Sequence, residues 1–132
     1  MKTFALRLKP GQDLKEELVK FTRESHIQAG CILTCVGSLK RASLRMADEN
    51  VTKELEKKFE ITSLVGTLSL DGVHLHITLT DETGSAIGGH LKENCLIYST
   101  AEIVIGELEN VTFSRQPDAE TGFKELNIIS RQ

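Results

Sequence analysis

The chain has 132 residues, of which 27% are charged and 39% hydrophobic, and its formal net charge at pH 7 is −3. That allows one domain with a real core, residues 1–132, and leaves too little for two. The acidic balance weighs against strong non-specific DNA binding, which needs a surplus of Lys and Arg facing phosphates, and no apolar run is long enough to span a membrane.

Residues 2–9 alternate, with Phe4, Leu6 and Leu8 against Thr3, Arg7 and Lys9, which predicts a half-buried strand. Pro10 and Gly11 stop it. Asp13, with Glu16 three residues on, has the spacing of a capping box and starts a helix. Leu14, Leu18, Phe21 and Ser25 mark one helical face, and Gly30 is placed to end the helix. Cys31 to Val36 is a short, continuously apolar run, expected as a buried strand that kinks at Gly37. Ala42, Leu44 and Met46 then alternate with Arg41, Ser43 and Arg45, and Asp48, Glu49 and Asn50 form a turn. Residues 52–58 are mostly charged and suit an edge or loop. From Phe59 onward the expectation is strand after strand: 59–70, 73–81, 85–91, 95–105, 108–114 and 124–130. The fold class is therefore α+β, mostly antiparallel sheet with one main helix.

Met1 leads straight into the first strand pattern with nothing resembling a signal peptide, so a cytoplasmic location is expected. The three cysteines, Cys31, Cys35 and Cys95, sit in apolar runs and suit reduced, buried thiols. Lys40, Arg41 and Arg45 are candidates for a local basic patch, although such clusters are more often solvated surface.

The chemistry concentrates in "TLSLDGVHLHITLTDETGSAIGGHLKENC". Asp71-Gly72 is a type I′ signal for a two-residue loop. It would pair Ser69 with His74 and Thr67 with His76. Leu68, Leu70, Val73, Leu75 and Ile77 then share the core face, opposite His74, His76 and Thr78. For the next turn, a three-residue loop, Glu82-Thr83-Gly84, keeps the apolar parity where a four-residue loop breaks it. It pairs Leu79 with Ile87, Thr78 with Gly88 and His76 with His90. His74, His76 and His90 would converge, lined by the small residues Thr67, Ser69, Thr78 and Gly88. Three imidazoles with an open fourth position make a site for a divalent metal, with zinc the expected ion. A His-x-His pair alone is usually solvated surface, and it is the third histidine in register that raises this one above that reading. His26 belongs to the helix surface. No nucleophile motif and no phosphate-cradling glycine loop accompanies the trio, and Gly88-Gly89 is too short to count as one.

"FEITSLVGTLS" at 59–69, "HLHITLTDETGSAIGGHL" at 74–91 and "STAEIVIGEL" at 99–108 resemble the PPC domain, the plant- and prokaryote-conserved domain. With the amino-terminal strand–helix–strand, the resemblance covers nearly the whole chain. It implies a homotrimer of an α+β fold, with a metal at His74, His76 and His90 in some prokaryotic relatives. It also implies a regulatory or DNA-associated role. Plant members bind AT-rich DNA through a separate AT-hook, a motif this sequence does not contain. Lys58-Phe59-Glu60-Ile61 resembles the plant segment associated with partner recruitment. Glu102, within Thr-Ala-Glu, is a further match, read as a fourth ligand, an imidazole partner, a general base, or an outward-facing surface carboxylate. The main functional expectation is a trimeric metal-binding domain. The alternative is a metal-dependent hydrolase or lyase acting on a small molecule, because three histidines and a bound water form a catalytic zinc site.

Overall fold

The computed structural model describes residues 1–131. The elements run β1 (Lys2–Leu8), α1 (Leu14–Glu24), β2 (Gly30–Arg45), β3 (Thr52–Leu55), β4 (Phe59–Ser69), β5 (Gly72–Thr80), β6 (Ala86–Leu91), β7 (Leu96–Glu107), β8 (Val111–Pro117) and β9 (Lys124–Ser130). Seven strands form one antiparallel sheet in the order β1-β7-β2-β4-β5-β6, with β3 added to β2, and β8 and β9 form a separate hairpin. The α+β class follows.

The long strand β2 organises the sheet. Its first half runs between β7 and β4. Its last residues pair with β6, Leu44 opposite Leu91 and Arg45 opposite His90. That contact closes β2, β4, β5 and β6 into a barrel-like ring. Leu39, Leu44, Leu68, Leu75, Ile77, Leu79 and Leu91 are buried, and α1 adds Leu14 and Leu18 to the same cluster. Each such side chain contributes about 2 kcal/mol or more by leaving water. The ring and helix therefore carry the stability. The hairpin does not, since Ile128 and Ile129 lie 61% and 46% exposed.

The helix starts as its sequence predicts. Asp13 Oδ1 accepts from Glu16 N at 3.0 Å, and Oδ2 accepts from Asn94 N at 2.6 Å, tying the cap to the β6–β7 turn. The end differs. The helix stops at Glu24, and His26, with φ 53°, takes the left-handed position expected of Gly30. His26 N donates to Arg23 O and Ile27 N to Thr22 O. This paired bond pattern, followed by an apolar residue, is a Schellman ending. It wins because it delivers Ile27, fully buried, into the core. Gly30 opens β2 instead, where a Cβ would press on Ile27 and Leu68.

β2 is one strand whose register is irregular around Gly37 and Leu39, where a kink was expected. One further expectation changes for this strand. Its Cys31–Val36 run is not buried within one chain: Leu33 is 48% and Val36 56% exposed, and Cys31 and Cys35 are only partly covered, whereas Cys95 is buried. The apolar pattern marks a face that its own chain leaves open. In urea titrations followed by circular dichroism, Asp13→Ala should lose about 1–2 kcal/mol of stability. Leu18→Ala, which empties a buried site, should lose about 2–5 kcal/mol.

Candidate metal centre

The hairpin from β5 to β6 forms with the expected loop. Asp81 N donates to Ser85 O, Gly84 N donates to Asp81 O, and Gly84 takes φ 85°. The Asp81 carboxylate receives Thr83 N, Thr83 Oγ1 and Ser85 N, which stiffens the turn. These bonds, with Lys57, hold its pKa far below the ordinary carboxylate range. The resulting register pairs Leu79 with Ile87, Thr78 with Gly88 and His76 with His90.

The β4–β5 turn departs from expectation. Its loop is Leu70-Asp71, so that Ser69 pairs with Gly72, Thr67 with His74 and Val65 with His76. Gly72 has φ 137°, but neither Leu70 nor Asp71 has a positive φ, and a type I′ turn requires it at both central positions. One local and one tertiary bond hold this turn: Ser69 Oγ donates to Gly72 O across it, and the Asp71 carboxylate accepts from Arg115 N of β8. Each partner is displaced by two residues, so side-chain parity survives and the histidines stay on the outer face. Gly66, opposite Leu75 with φ 153°, permits the close approach of β4, since a Cβ there would overlap the His74 carbonyl.

The three imidazoles converge. Ring centroids lie 5.0 Å apart for His74 and His76, 5.3 Å for His74 and His90, and 5.6 Å for His76 and His90. One ring nitrogen from each lies within 4.8 Å of the others. A tetrahedral ion with bonds of about 2.1 Å needs ligand nitrogens about 3.4 Å apart. Modest side-chain rotation closes that gap. His90 Nδ1 is buried without a hydrogen-bond partner. An orphaned buried nitrogen costs about 1–3 kcal/mol, so a group that accepts its lone pair or proton is called for, and the donor set fits a divalent ion.

The walls differ from those the sequence suggested. A cavity of about 480 Å³ over the histidines is bounded by Arg45, Asp71, Arg115 and residues Phe123 to Glu125, rather than by Ser69, Thr78 and Gly88. Thr67 is engaged by Arg115, whose Nη2 donates to its Oγ1 at 2.9 Å. Arg45 arrives through the β2–β6 closure, Asp71 through the β4–β5 turn, and Arg115 and residues Phe123 to Glu125 through the β8–β9 hairpin. No local signal near the histidines announced the arginines or the hairpin. The supposed basic patch divides accordingly: Arg41 pairs with Glu54 and Glu56, while Arg45 turns to the cavity. Glu102 stands away from the trio, on the open face of β7 between Arg7 of β1 and Val36 of β2. Within one chain it is a surface carboxylate and neither ligand nor imidazole partner. Cys35 is no nucleophile, because burial pushes its thiol up to about 11.

Burial and nearby cations keep His74 and His90 neutral at pH 7. Burial, then the Arg115 charge, lowers the pKa of His74, with Glu125 opposing. Burial, then Arg45, lowers that of His90 to about 4. Neutral rings offer lone pairs to a metal.

The model of the Plants and Prokaryotes Conserved (PCC) domain matches residues 1–109. The chain belongs to this family. The match ends before β8, so the hairpin that walls the cavity lies outside it. A hypothetical protein from Salmonella enterica superposes with a TM-score of 0.95 at 44% identity, covering 99% of this chain and 95% of that one. A protein from Archaeoglobus fulgidus described as metal-containing superposes with a TM-score of 0.83 at 30% identity, covering 96% of this chain and 94% of that one. The bifunctional protein GlmU of a Synechococcus strain is 51% identical over 128 residues, 97% of this chain. The chain spans about a fifth of the length of the curated relatives it matches.

The lowered histidine pKa values set a pH dependence. A folded-state pKa below the unfolded one means that the native state binds fewer protons, so its stability is present above about pH 6.5 and lost as pH falls toward 4. Metal-free protein should show a falling urea midpoint across that window, and His90→Gln should flatten the decline. Gly66→Ala should cost at least about 2 kcal/mol, because backbone rather than a movable side chain blocks the new methyl. Urea unfolding measures it.

Proposed function

We propose that this PCC domain holds one divalent ion, expected to be zinc, on His74, His76 and His90, and that it serves a regulatory or binding role through that ion. The observation that carries this reading is the convergence of three imidazoles, one with an orphaned buried nitrogen, at the floor of a cavity. The metal-containing description of the Archaeoglobus relative supports it. When bound by three histidines, zinc retains a fourth position and lowers the pKa of a water there toward neutrality. The chain's own part is to hold three lone pairs in register and to wall the space above them.

The alternative, a metal-dependent hydrolase or lyase, has one observation in its favour: Glu125 lines the same cavity and is a residue type that can serve as a general base. Direct DNA binding is the weaker reading, since Arg41 is neutralised by Glu54 and Glu56. We also propose the homotrimer that the family resemblance implies, seated on the outer face of β1, β7 and β2, where Val36 and Leu33 are exposed. A cytoplasmic setting suits the three free thiols. Among the described residues no helix is long and apolar enough to cross a membrane.

Elemental analysis of purified protein should find about one divalent ion per chain. His76→Ala and His90→Ala should each weaken uptake more than about a hundredfold, since even loss of a residue that only supports a ligand costs 10–100-fold. Wild-type protein that neither carries a metal nor takes up added zinc would refute the reading. In sedimentation equilibrium the wild type should run as a trimer and Val36→Glu as a smaller species. A monomeric wild type would remove the assembly.

A further inference from the structure

The cavity walls carry charge that the ion alone does not explain. Arg45, Arg115 and Lys124 line it, against two carboxylates, Asp71 and Glu125. Asp71 is already committed, since its Oδ2 accepts from Arg115 N. Elsewhere the chain pairs its partly covered cations: Arg41 with Glu54 and Glu56, and Lys15 with Glu93. Among the described residues no carboxylate lies within ion-pair distance of Arg45 or Arg115. Arg45 Nε is buried and has no hydrogen-bond acceptor. It belongs to the residue directly opposite His90, whose Nδ1 is also buried without a partner. Arg115 commits one Nη2 to Thr67 and keeps the rest of its fork free.

A cationic site would by itself repel a second positive charge, so two unpaired guanidiniums beside a metal site work against metal binding unless an anion joins them. Arginine forks match the paired oxygens of carboxylate and phosphate groups. We propose that this cavity binds a small molecule bearing such an oxyanion, with Arg45 and Arg115 taking its charge and one oxygen filling the open position on the ion. The last contact rests on the metal reading above, and the arginine contacts do not. The volume of about 480 Å³ falls in the range of small-molecule sites. Phe123, 49% exposed at the rim, offers an apolar surface to the rest of the ligand. The β8–β9 hairpin thus acts as a specificity wall, supplying Arg115 and residues Phe123 to Glu125 to a metal floor built by β5 and β6.

The test is calorimetric titration of the zinc-loaded full chain with inorganic phosphate and with acetate. The same additions to cobalt-loaded protein reveal a change in visible absorption if an oxygen reaches the ion. The expected result is saturable binding of at least one probe, weakened about tenfold or more in Arg45→Gln and in Arg115→Gln. Metal content should stay at the wild-type level, and Arg45→Lys should recover part of the affinity. Melting curves matching wild type certify that the variants fold. Failure of both probes to bind zinc-loaded protein, or binding unaffected by either substitution, overturns the proposal. If the wild type takes up no metal, the metal reading falls alone provided phosphate still binds through the arginines. If phosphate does not bind either, both fall.

Discussion

The structure turns on the double pairing of β6. On one side β5 sets His76 against His90, and on the other the far end of β2 sets Arg45 against His90. Both contacts are backbone ladders, so they fix Cβ positions without depending on side-chain choice. Because β6 has a neighbour on each side at His90, that residue lies inside the sheet rather than at a free edge. Closure of β2 onto β6 also seals the core ring. The same hydrogen bonds that bury Leu44 and Leu91 bring a guanidinium to an imidazole. Fold and site share one constraint.

The site is built against local stability. Two buried, unpartnered nitrogens at one register position are a cost that a structural hairpin would avoid. Burial, then the nearby cations, hold His74 and His90 neutral, so that their lone pairs are available to the cavity. The core of the ring and helix supplies enough stability to sustain this. The β8–β9 hairpin is attached differently. It is held mainly by polar bonds, Arg115 to Asp71 and Thr67 and Phe113 N to Gln28 O, with little buried apolar area of its own. Such an attachment suits a wall that can vary while the histidine floor stays the same.

The outer face of β1, β7 and β2 presents a separate problem. Its apolar residues, Val36 and Leu33 among them, were expected to be buried because they are apolar and β-rich, and a single chain leaves them in water. Glu102, which resembles a family signature residue, stands on this face and not at the histidines. Its place associates it with whatever meets that face.

Local rules decided much of the chain from sequence. Period-two alternation gave the strands from Phe59 to Leu91 and the parity that keeps His74, His76 and His90 on one side. The need to preserve that parity selected the three-residue loop at Gly84, and with it the His76–His90 pair. Asp13 named its helix cap because capping is a bond between near neighbours. Tertiary structure alone decided the rest. The helix ended at Glu24, with His26 turning the chain, because Ile27 had to reach the core, and the first hairpin slipped by two residues where Asp71 found a partner in β8. Arg45 reached His90 through the β2–β6 closure and Arg115 reached the cavity through the separate β8–β9 hairpin, and no local pattern encodes either contact. Hydrophobic periodicity tells a strand which face it buries. Which distant strand it will lie beside depends on how the whole sheet curls, and that is a property of the packed core rather than of any segment.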